Sequence, residues 1–334
     1  MPKVSIIIIN FNGGALNNQC LAALDRQTFR DFEIILVDNA STDGSLATVD
    51  CSRPNLTVIP SPTNTGFAGG NNLGAKSAQG AWLALLNNDA FPDPDWLEHL
   101  VKAAEAHPEF DFFSSRQYCF NAPHLMDGTG DMLATNGRAW RRDYHVPAWR
   151  ATNISGEVFG ACAAAAMYRR SDFEATGGFD EDFFCHFEDV DLAFRLRLIG
   201  KRCFYANEAV VYHIGSATAG GEDSDFAVYQ GMRNAVWTYA KCMPRGLLLK
   251  NLHRHLLRNA RELYYALRTG KGRVALRAKF HALKALPKML RKRRAIQLAR
   301  TVADADIAAW LLRDPGHMPV ETEIGMGKTE RDYA

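Results

Sequence analysis

Long apolar runs are missing from this chain of 334 residues, and no stretch approaches the roughly 18–20 consecutive apolar residues that a membrane-spanning helix needs. The amino terminus has the pattern of a strand and not of a secretion signal. Hydrophobic residues make up 47% of the chain and charged residues 23%, which is typical of a globular protein and excludes disorder along the whole length. We therefore expect a cytoplasmic protein with one large folded domain and an extension.

Cysteine pairs are missing as well. The seven cysteines are odd in number and include no Cys-x-x-Cys motif. This distribution favours scattered reduced thiols over a disulfide framework or a structural zinc site.

Two common nucleotide-binding motifs are also absent. No Gly-x-Gly-x-x-Gly run follows the first predicted strand, which argues against a nicotinamide dinucleotide site. Residues 69–77 resemble a phosphate-binding P-loop, but Ala75 stands where that loop requires lysine, and Gly327-Lys328-Thr329 lacks the earlier glycine. The turn after the first strand instead offers amides and an aromatic ring, which suit a nucleobase.

Acidic residues are nearly absent from residues 241–300, where 18 Lys and Arg accompany a single acid, Glu262. The net charge of the whole chain is only +2, so the rest of the protein is acidic. Apolar and aromatic residues alternate with cations over 247–294, which predicts basic amphipathic helices that lie on an anionic membrane surface. Helices that dock on the protein with a solvated charged face are the structural alternative. No recognition motif accompanies the charge, so we expect no nucleic-acid partner.

Strands and helices alternate in the first third of the chain. Continuous apolar runs predict four buried strands, at residues 4–9, 32–37, 57–59 and 82–86. Helices are predicted between them at residues 16–26 and 74–79. This order predicts an α/β fold with a doubly wound, mostly parallel sheet, whose ligand lies at the carboxyl ends of the strands. Four polar turns are expected to meet there, at residues 10–12, 38–43, 64–72 and 87–89.

The second part of the chain gives weaker patterns. The predicted elements are an amphipathic helix at 93–107, a small-residue strand at 160–168 and short strands at 203–205 and 209–212. Residues 110–155 have no regular pattern, and we expect a solvated surface loop with a cluster of arginine and aromatic side chains; contact with a substrate is the alternative role. The members of this cluster are Arg138, Trp140, Arg141, Arg142, Tyr144, Trp149 and Arg150.

Asp89 follows the strand at 82–86, at the point where an open α/β sheet places its ligand. A helix-capping turn is the alternative role, because Asn and Asp favour turns. Together with His213, Asp89 could hold Mg²⁺ or Mn²⁺ through oxygen and imidazole ligands. Such an ion stabilises a departing diphosphate as a Lewis acid.

Glu188 and Asp189 form a carboxylate pair at the predicted start of a helix, where the helix dipole favours the ionised form. A carboxylate kept ionised at neutral pH can serve as a general base. Helix capping by acidic residues is the alternative role.

Six segments of the sequence resemble, in the same order, the inverting GT-A glycosyltransferases of family 2, and within them the rhamnosyltransferase-like enzymes of bacterial surface polysaccharide assembly. The segments are 4–12, 37–45, 64–72, 86–89, 187–192 and 213–216. Each is weak alone, and together they are specific. Where many relatives have two carboxylates in an Asp-x-Asp element, this chain has Asn87-Asn88-Asp89 and therefore one.

The resemblance implies a role for each matching residue. Asp189 is the expected catalytic base with Glu188 as the second candidate, and Asp89 and His213 are the expected metal ligands. Asp38 is expected to recognise the nucleobase. Arg233 matches a conformational or diphosphate-contacting segment of the relatives, with a surface arginine as the alternative. The other residues expected to border the nucleotide and the donor sugar are Asn10, Phe11, Asn12, Asn64, Gly66, Phe67, Gly70, Asn71, Asn87 and Asn88.

The implied function is metal-dependent, inverting transfer of rhamnose or another hexose from a dTDP- or UDP-sugar. The implied acceptor is a hydroxyl of a glycan or of a lipid-diphosphate-linked sugar in cell-surface polysaccharide synthesis. The implied organisation is a GT-A catalytic domain at 1–240, a basic amphipathic helical extension at 241–300, and a C-terminal helix and tail at 301–334. We expect peripheral association with the inner face of the cell membrane, and a homodimer is compatible with this organisation.

Two other functions are tested by the same residues. A sugar nucleotidyltransferase needs a glycine-rich loop with arginine and lysine after the first strand, and residues 10–14 contain no such loop. A non-catalytic sugar-nucleotide-binding protein needs no base, so the presence of Asp89, Asp189 and His213 argues against it.

Overall fold

The structure is a computed structural model, and it describes residues 1–215, 221 and 223–312. Ser216 of the last matching segment, the loop at 327–329 and the tail at 313–334 lie outside the described residues. Within them, the predicted α/β class is confirmed, because helices pack on both faces of a ten-stranded sheet.

The first part of the chain forms the parallel half of this sheet, as predicted. Its elements are β1 (Val4–Asn10), α1 (Leu16–Asp25), β2 (Phe32–Asp38), β3 (Leu56–Pro60), α2 (Gly66–Ser77), β4 (Trp82–Leu86), β5 (Ala90–Pro92) and α3 (Trp96–Ala106). The parallel neighbours follow the order β4-β1-β2-β3, with Asn10 paired to Asp38 where β1 and β2 end. Ile7 packs in one core and Ile6 and Ile8 in another, so β1 is buried on both faces.

The second part of the chain completes the sheet in mixed orientation. Its elements are β6 (Phe112–Cys119), β7 (Ala122–Gly128), β8 (Asp131–Ala134), β9 (Ala139–Arg141), β10 (Gly156–Val158), β11 (Ala165–Arg169), α4 (Arg170–Ala175), α5 (Glu188–Leu198) and β12 (Cys203–His213). The full order is β10-β12-β6-β11-β4-β1-β2-β3, with β5 on β12 and β7 on β6. Antiparallel β11 joins the two halves by pairing with both β4 and β6.

The expectation of a solvated loop at 110–155 is wrong. Four strands lie there, and β8 and β9 belong to a second, three-stranded sheet. The polar residues Ser114 and Gln117 on β6 are buried and obscure its strand pattern. Arg142 donates to the Thr129 carbonyl at 2.8 Å instead of facing solvent. The two short strands expected at 203–205 and 209–212 are one strand, β12, with a bulge between Ala206 and Val210.

The basic C-terminal region is helical, as expected. Its elements are α6 (Asp225–Cys242), α7 (Arg245–Arg268), α8 (Gly272–Lys284), α9 (Leu286–Leu298), α10 (Asp304–Trp310) and β13 (Leu311–Leu312). α8 and α9 pack on α6, and β13 pairs with β8, so this region is folded against the sheet domain. No helix in the described part of the chain is long and apolar enough to cross a membrane.

Candidate active site

A cleft of about 720 Å³ lies at the carboxyl ends of the central strands. All four polar turns predicted to meet there contribute to its lining. Among the described residues, their contributions are Phe11, Asn39, Asn64, Gly66, Phe67, Asn87, Asn88 and Asp89. The cleft is also lined by Asp131, Trp140, Arg141, Glu188, Asp189 and His213. Trp140 and Arg141 come from the cluster expected in solvent, so two of its members face the cleft.

The first two turns are joined by buried hydrogen bonds. The Nδ2 atom of Asn10 donates to Asp38 Oδ1 at 2.8 Å and to Ser45 Oγ at 2.9 Å. Asn12 Oδ1 accepts from the Thr42 backbone at 2.8 Å. Of the residues on these two turns that were expected at the nucleotide, Phe11 lines the described cleft, and Asn10, Asn12 and Asp38 are not among its lining residues.

The third turn is held by a side chain that the sequence interpretation missed. Asn39 donates from Nδ2 to Asn64 Oδ1 at 3.0 Å and accepts from the Thr65 backbone at 2.9 Å. Gly66 has φ +70° and approaches the backbone of Phe184 so closely that a Cβ would lie 2.3 Å from its carbonyl oxygen. A side chain at position 66 would therefore push the neighbouring segment away.

Gly70 and Asn71, which were expected to border the donor, lie inside α2. A Cβ at Gly70 would contact Ile9 at 3.1 Å, so this glycine allows close packing of α2 on β1. Asn71 donates from Nδ2 to the Phe67 carbonyl within the same helix at 2.9 Å. Neither residue is among the described residues that line the cleft.

Asp89 and His213 are brought together by strand pairing, since Ala90 on β5 pairs with His213 on β12. His213 Nε2 lies 3.2 Å from Asp89 Oδ1, and its Nδ1 lies 2.9 Å from Asp127 Oδ2. Asn87 Nδ2 lies 3.3 Å from the same Nε2. Burial opposes protonation of the ring, but the two carboxylates outweigh burial and raise the pKa of His213 to about 9.

This arrangement fits a divalent cation with few protein ligands once the Nε2 proton of His213 leaves, because metal binding releases protons from its ligands. Asp89 offers a carboxylate and His213 an imidazole nitrogen on the cleft wall, and the carboxylate of Asp127 fixes the ring from its far side, as second-shell groups do at metal sites. In the described residues, no group of three or more His, Cys, Asp or Glu side chains could hold a metal. The remaining coordination positions would therefore fall to water or to diphosphate oxygens.

Glu188 and Asp189 begin α5 and line the cleft with Asp131, a buried carboxyl that the sequence interpretation missed. Asp189 accepts from the backbone of Val190 at 2.8 Å and of Ala163 at 3.3 Å. In the described structure, Glu188 Oε2 and Asp131 Oδ2 are buried with no hydrogen-bond partner. The three groups therefore differ in how well their charged forms are stabilised.

The pKa values follow these differences. Burial, and then the charge of Asp189, raise the pKa of Glu188 and of Asp131 well above their ordinary values. Burial also raises the pKa of Asp189, but the backbone donors of Val190 and Ala163 oppose that rise. The helix start alone was expected to keep the pair ionised, and for Glu188 burial outweighs the helix dipole.

Arg233 lies on α6 and is not among the described residues that line the cleft. Its Nη2 atom donates to the Phe183 carbonyl at 3.0 Å, and its guanidinium lies 4.4 Å from the ring centre of Trp237. The structure therefore places Arg233 against the segment that precedes α5.

Asp127 and Asp131 could have been noticed from the sequence as acids in the turn Asp127-Gly128-Thr129-Gly130-Asp131. What the sequence could not give is their neighbours, because His213 and Asp189 reach them from strands and helices far along the chain. Asn39 likewise looked like one polar residue of a turn among several.

Comparisons with known proteins agree with this geometry. A family model described as "Glycosyl transferase family 2" matches residues 5–177. N-acetylglucosaminyl-diphospho-decaprenol L-rhamnosyltransferase of Mycobacterium tuberculosis is 28% identical over 238 residues, which cover 62% of this chain and 75% of that protein.

Solved structures share the fold at low sequence identity. Residues 1–349 of S. aureus TarS, in complex with UDP-GlcNAc, have a TM-score of 0.59 at 18% identity, covering 89% of this chain and 88% of that one. The mannosyltransferase PcManGT from Pyrobaculum calidifontis, in complex with GDP-Man and Mn²⁺, has a TM-score of 0.55 at 19% identity, with 89% and 85% covered.

Proposed function

The chain belongs to glycosyl transferase family 2, with the GT-A fold expected from its sequence, and from that premise we propose an inverting, metal-dependent transfer of rhamnose or another hexose. The proposed donor is a dTDP- or UDP-sugar. The proposed acceptor is a hydroxyl of a glycan or lipid-diphosphate-linked sugar in cell-surface polysaccharide synthesis. The similar rhamnosyltransferase, whose name states a lipid-diphosphate-linked substrate, supports this acceptor class.

The observation that carries the proposal is a single cleft that is lined by Asp89, His213 and Asp189. Asp89 Oδ1 and His213 Nε2 lie 3.2 Å apart in it. Asp89 and His213 would hold Mg²⁺ or Mn²⁺, and the bound ion would stabilise the leaving diphosphate as a Lewis acid. Asp127 keeps the Nε2 atom of His213 directed at Asp89. His213 would then serve as a second metal ligand beside Asp89, the one carboxylate at residues 87–89.

Asp189 is the better candidate for the base than Glu188. Two backbone N–H groups stabilise its charge, whereas Glu188 Oε2 has no partner in the described structure. When buried carboxyls compete for protons, the least stabilised ones keep them. Asp189 is therefore the member of the group that ionises first and can accept a proton.

The chemical step is a single displacement. Asp189 accepts the proton of the acceptor hydroxyl while that oxygen forms a bond to the anomeric carbon, from the face opposite the nucleotide. The bond between the anomeric carbon and the diphosphate oxygen breaks, and its electron pair leaves with the diphosphate. The anomeric configuration inverts, and the proton ends on Asp189.

The donor side of the cleft provides Phe11, Asn64, Gly66 and Phe67. We propose that the nucleoside lies against Phe11 and that Asn64 faces the sugar nucleotide. The hydrogen bond from Asn39 holds the Asn64 side chain in place. Recognition of the base by Asp38 stays a prediction. Asp38 Oδ1 already accepts a hydrogen bond from Asn10.

The exposed surface of α7 supports association with an anionic membrane. Its buried face carries Asn251, His255 and Ala266, and Leu247 and Leu248 pack against the core beside them. The exposed residues of one apolar stripe are Leu249, Leu252, Leu256, Tyr264 and Leu267. Beside this stripe run the exposed cations Lys250, Arg254, Arg261 and Arg268. An apolar stripe flanked by cations suits the surface of an anionic bilayer.

A donor panel tests the proposed function. We expect a dTDP- or UDP-sugar to raise the melting temperature in the presence of Mn²⁺ or Mg²⁺, with the increase lost when EDTA is added. The same donor should be consumed when a lipid-diphosphate-linked or glycan acceptor is present. Stabilisation by GDP-sugars alone, or equal stabilisation in EDTA, would contradict the proposed donor or the proposed metal.

A further inference from the structure

The segment 183–187, which leads into α5, has an unusual backbone conformation. Phe184, His186 and Phe187 have φ values of +64°, +67° and +68°, a region that residues with a Cβ rarely adopt. Phe187 directly precedes Glu188 and Asp189, so its conformation sets where α5 begins. Such a conformation persists only when surrounding contacts determine it.

One buried side chain contacts three backbone carbonyls of this segment. Asn234 on α6 is fully buried, and its Nδ2 atom lies within donating distance of three carbonyl oxygens of the segment. These belong to Phe183 at 3.1 Å, Cys185 at 3.0 Å and His186 at 2.7 Å. Arg233 Nε donates to Asn234 Oδ1 at 2.9 Å. Because a guanidinium can only donate, this bond forces the amide to turn its Nδ2 toward the segment.

Lysines hold the acidic residues that flank the same segment. Lys241 on α6 is buried and pairs with Asp180 and, at 2.7 Å, with Asp191 on α5. Lys292 on α9 pairs with Asp180 and, at 2.7 Å, with Asp182. Burial alone would raise the pKa of Asp180, but Lys241 and Lys292 outweigh it and hold that pKa below its ordinary value.

We propose that Asn234 is a positioning residue for the catalytic base, with Lys241 and Lys292 as its ionic support. In this role Asn234 touches neither substrate nor metal. It holds the segment 183–187, in which Phe184, His186 and Phe187 have positive φ values, in the conformation that directs Asp189 into the cleft. The basic helices thereby become part of the catalytic machinery, in addition to any contact with a membrane. The inference rests on the proposed role of Asp189 as the base.

The test is the full chain with Asn234→Ala, and with Asn251→Ala as the matched control. Asn251 is also a buried helical amide, but its Nδ2 donates to Leu247 within its own helix at 2.9 Å. The readout is steady-state release of nucleoside diphosphate from dTDP-rhamnose, or from UDP-glucose if it turns over faster, with Mn²⁺ and water as acceptor. We expect Asn234→Ala to lower kcat roughly 10- to 100-fold, because a small displacement of a catalytic group has effects of that size. The KM for the donor should change less than about threefold, since the donor side of the cleft is untouched.

The pH profile separates positioning from simple loss of stability. The titratable groups that interact with Asp189 are Asp131, Cys162, Tyr168, Cys185, His186 and Glu188. Burial raises the pKa of Asp189, so a loosened segment that admits water should lower it. The acidic limb of kcat/KM should then move to lower pH in Asn234→Ala and stay in place in Asn251→Ala.

Three further variants cover the remaining outcomes. If Asn234→Ala does not fold, Lys292→Ala replaces it, with the exposed Lys76→Ala as its control; a smaller loss of kcat with the same shift of the acidic limb is expected. A folded Asn234→Ala or Lys292→Ala with the kcat and pH profile of the wild type would overturn the inference. Asp189→Asn, measured in parallel, separates the two proposals. If Asp189→Asn keeps full activity while Asn234→Ala loses activity, the base lies elsewhere and the proposed mechanism fails.

Discussion

Asp127 Oδ2 lies 2.9 Å from His213 Nδ1, so the other ring nitrogen faces Asp89. The pairing of β5 with β12 fixes the histidine backbone, and Asp127 fixes the ring. Carboxylates placed in this way behind a metal-binding histidine set its tautomer and its orientation. Asp127 also pairs with Arg141, which lines the same cleft.

Replacing Asp127 with Asn should weaken metal binding. Loss of a second-shell partner typically costs roughly 10- to 100-fold in metal affinity. We expect that loss for Mn²⁺, measured by electron paramagnetic resonance titration of the free ion. Asp143→Asn is the control, because Asp143 accepts from Thr129 and Thr152. Equal affinities in the wild type and Asp127→Asn would exclude this role.

The two acids at the start of α5 should respond differently to neutralisation. Asp189→Asn should lower kcat by roughly 10²- to 10⁴-fold, the usual contribution of a general base. Glu188→Gln should lower it less than about tenfold, because burial and the charge of Asp189 raise the pKa of Glu188 and favour its neutral form. Single-turnover transfer rates measure both. A larger loss in Glu188→Gln than in Asp189→Asn would reverse the assignment.

The buried carboxyl of Asp131 should lower the free energy of unfolding at alkaline pH, where it is ionised in the unfolded chain. Burial and the charge of Asp189 raise its folded-state pKa, so the folded state holds a proton that the unfolded state releases. Stability from this group is complete below the ordinary pKa of 3.8 and is lost as pH rises toward the folded value. Asp131→Asn should therefore melt at least about 2 °C above the wild type at pH 8, with the difference closing toward pH 4. A constant difference across this range, measured by scanning calorimetry, would contradict the sign.

The apolar stripe of α7 should control binding to anionic vesicles. Leu249 and Leu256 are 61% and 60% exposed, and burying a leucine typically contributes about 1.5–3 kcal/mol. Leu249→Glu with Leu256→Glu should reduce co-sedimentation with phosphatidylglycerol vesicles at least about tenfold. Ile154→Glu, at an exposed apolar residue outside these helices, should leave it unchanged. Equal losses in both variants would show that the stripe has no special role.

The parts of the fold predictable from the sequence were those with a strong local signal. Continuous apolar runs predicted β1, β2 and β4, and the polar turns after them predicted where the cleft lies. β6 was missed because buried Ser114, Ser115 and Gln117 interrupt its apolar pattern, and its pairing comes from strands distant in sequence.

The parts of the site that the sequence could not give depend on long-range contacts. Asp127 and Asp131 acquire their neighbours only through β12 and α5. Arg233 was expected in a conformational or diphosphate-contacting segment, or on a helix surface. The structure places Arg233 and its neighbour Asn234 against the backbone of 182–187. Their role depends on the positive φ values there, for which bulky residues such as Phe184 and Phe187 give no sequence signal.

The stereochemistry of the product tests the central claim most directly. The purified enzyme is incubated with its donor sugar nucleotide, Mn²⁺ and acceptor, and the new linkage is examined by NMR through the one-bond coupling between C1 and H1. A single displacement with Asp189 as the base predicts an anomeric configuration opposite to that of the donor, and product formation slowed by roughly 10²- to 10⁴-fold in Asp189→Asn. A product that keeps the configuration of the donor would contradict the account.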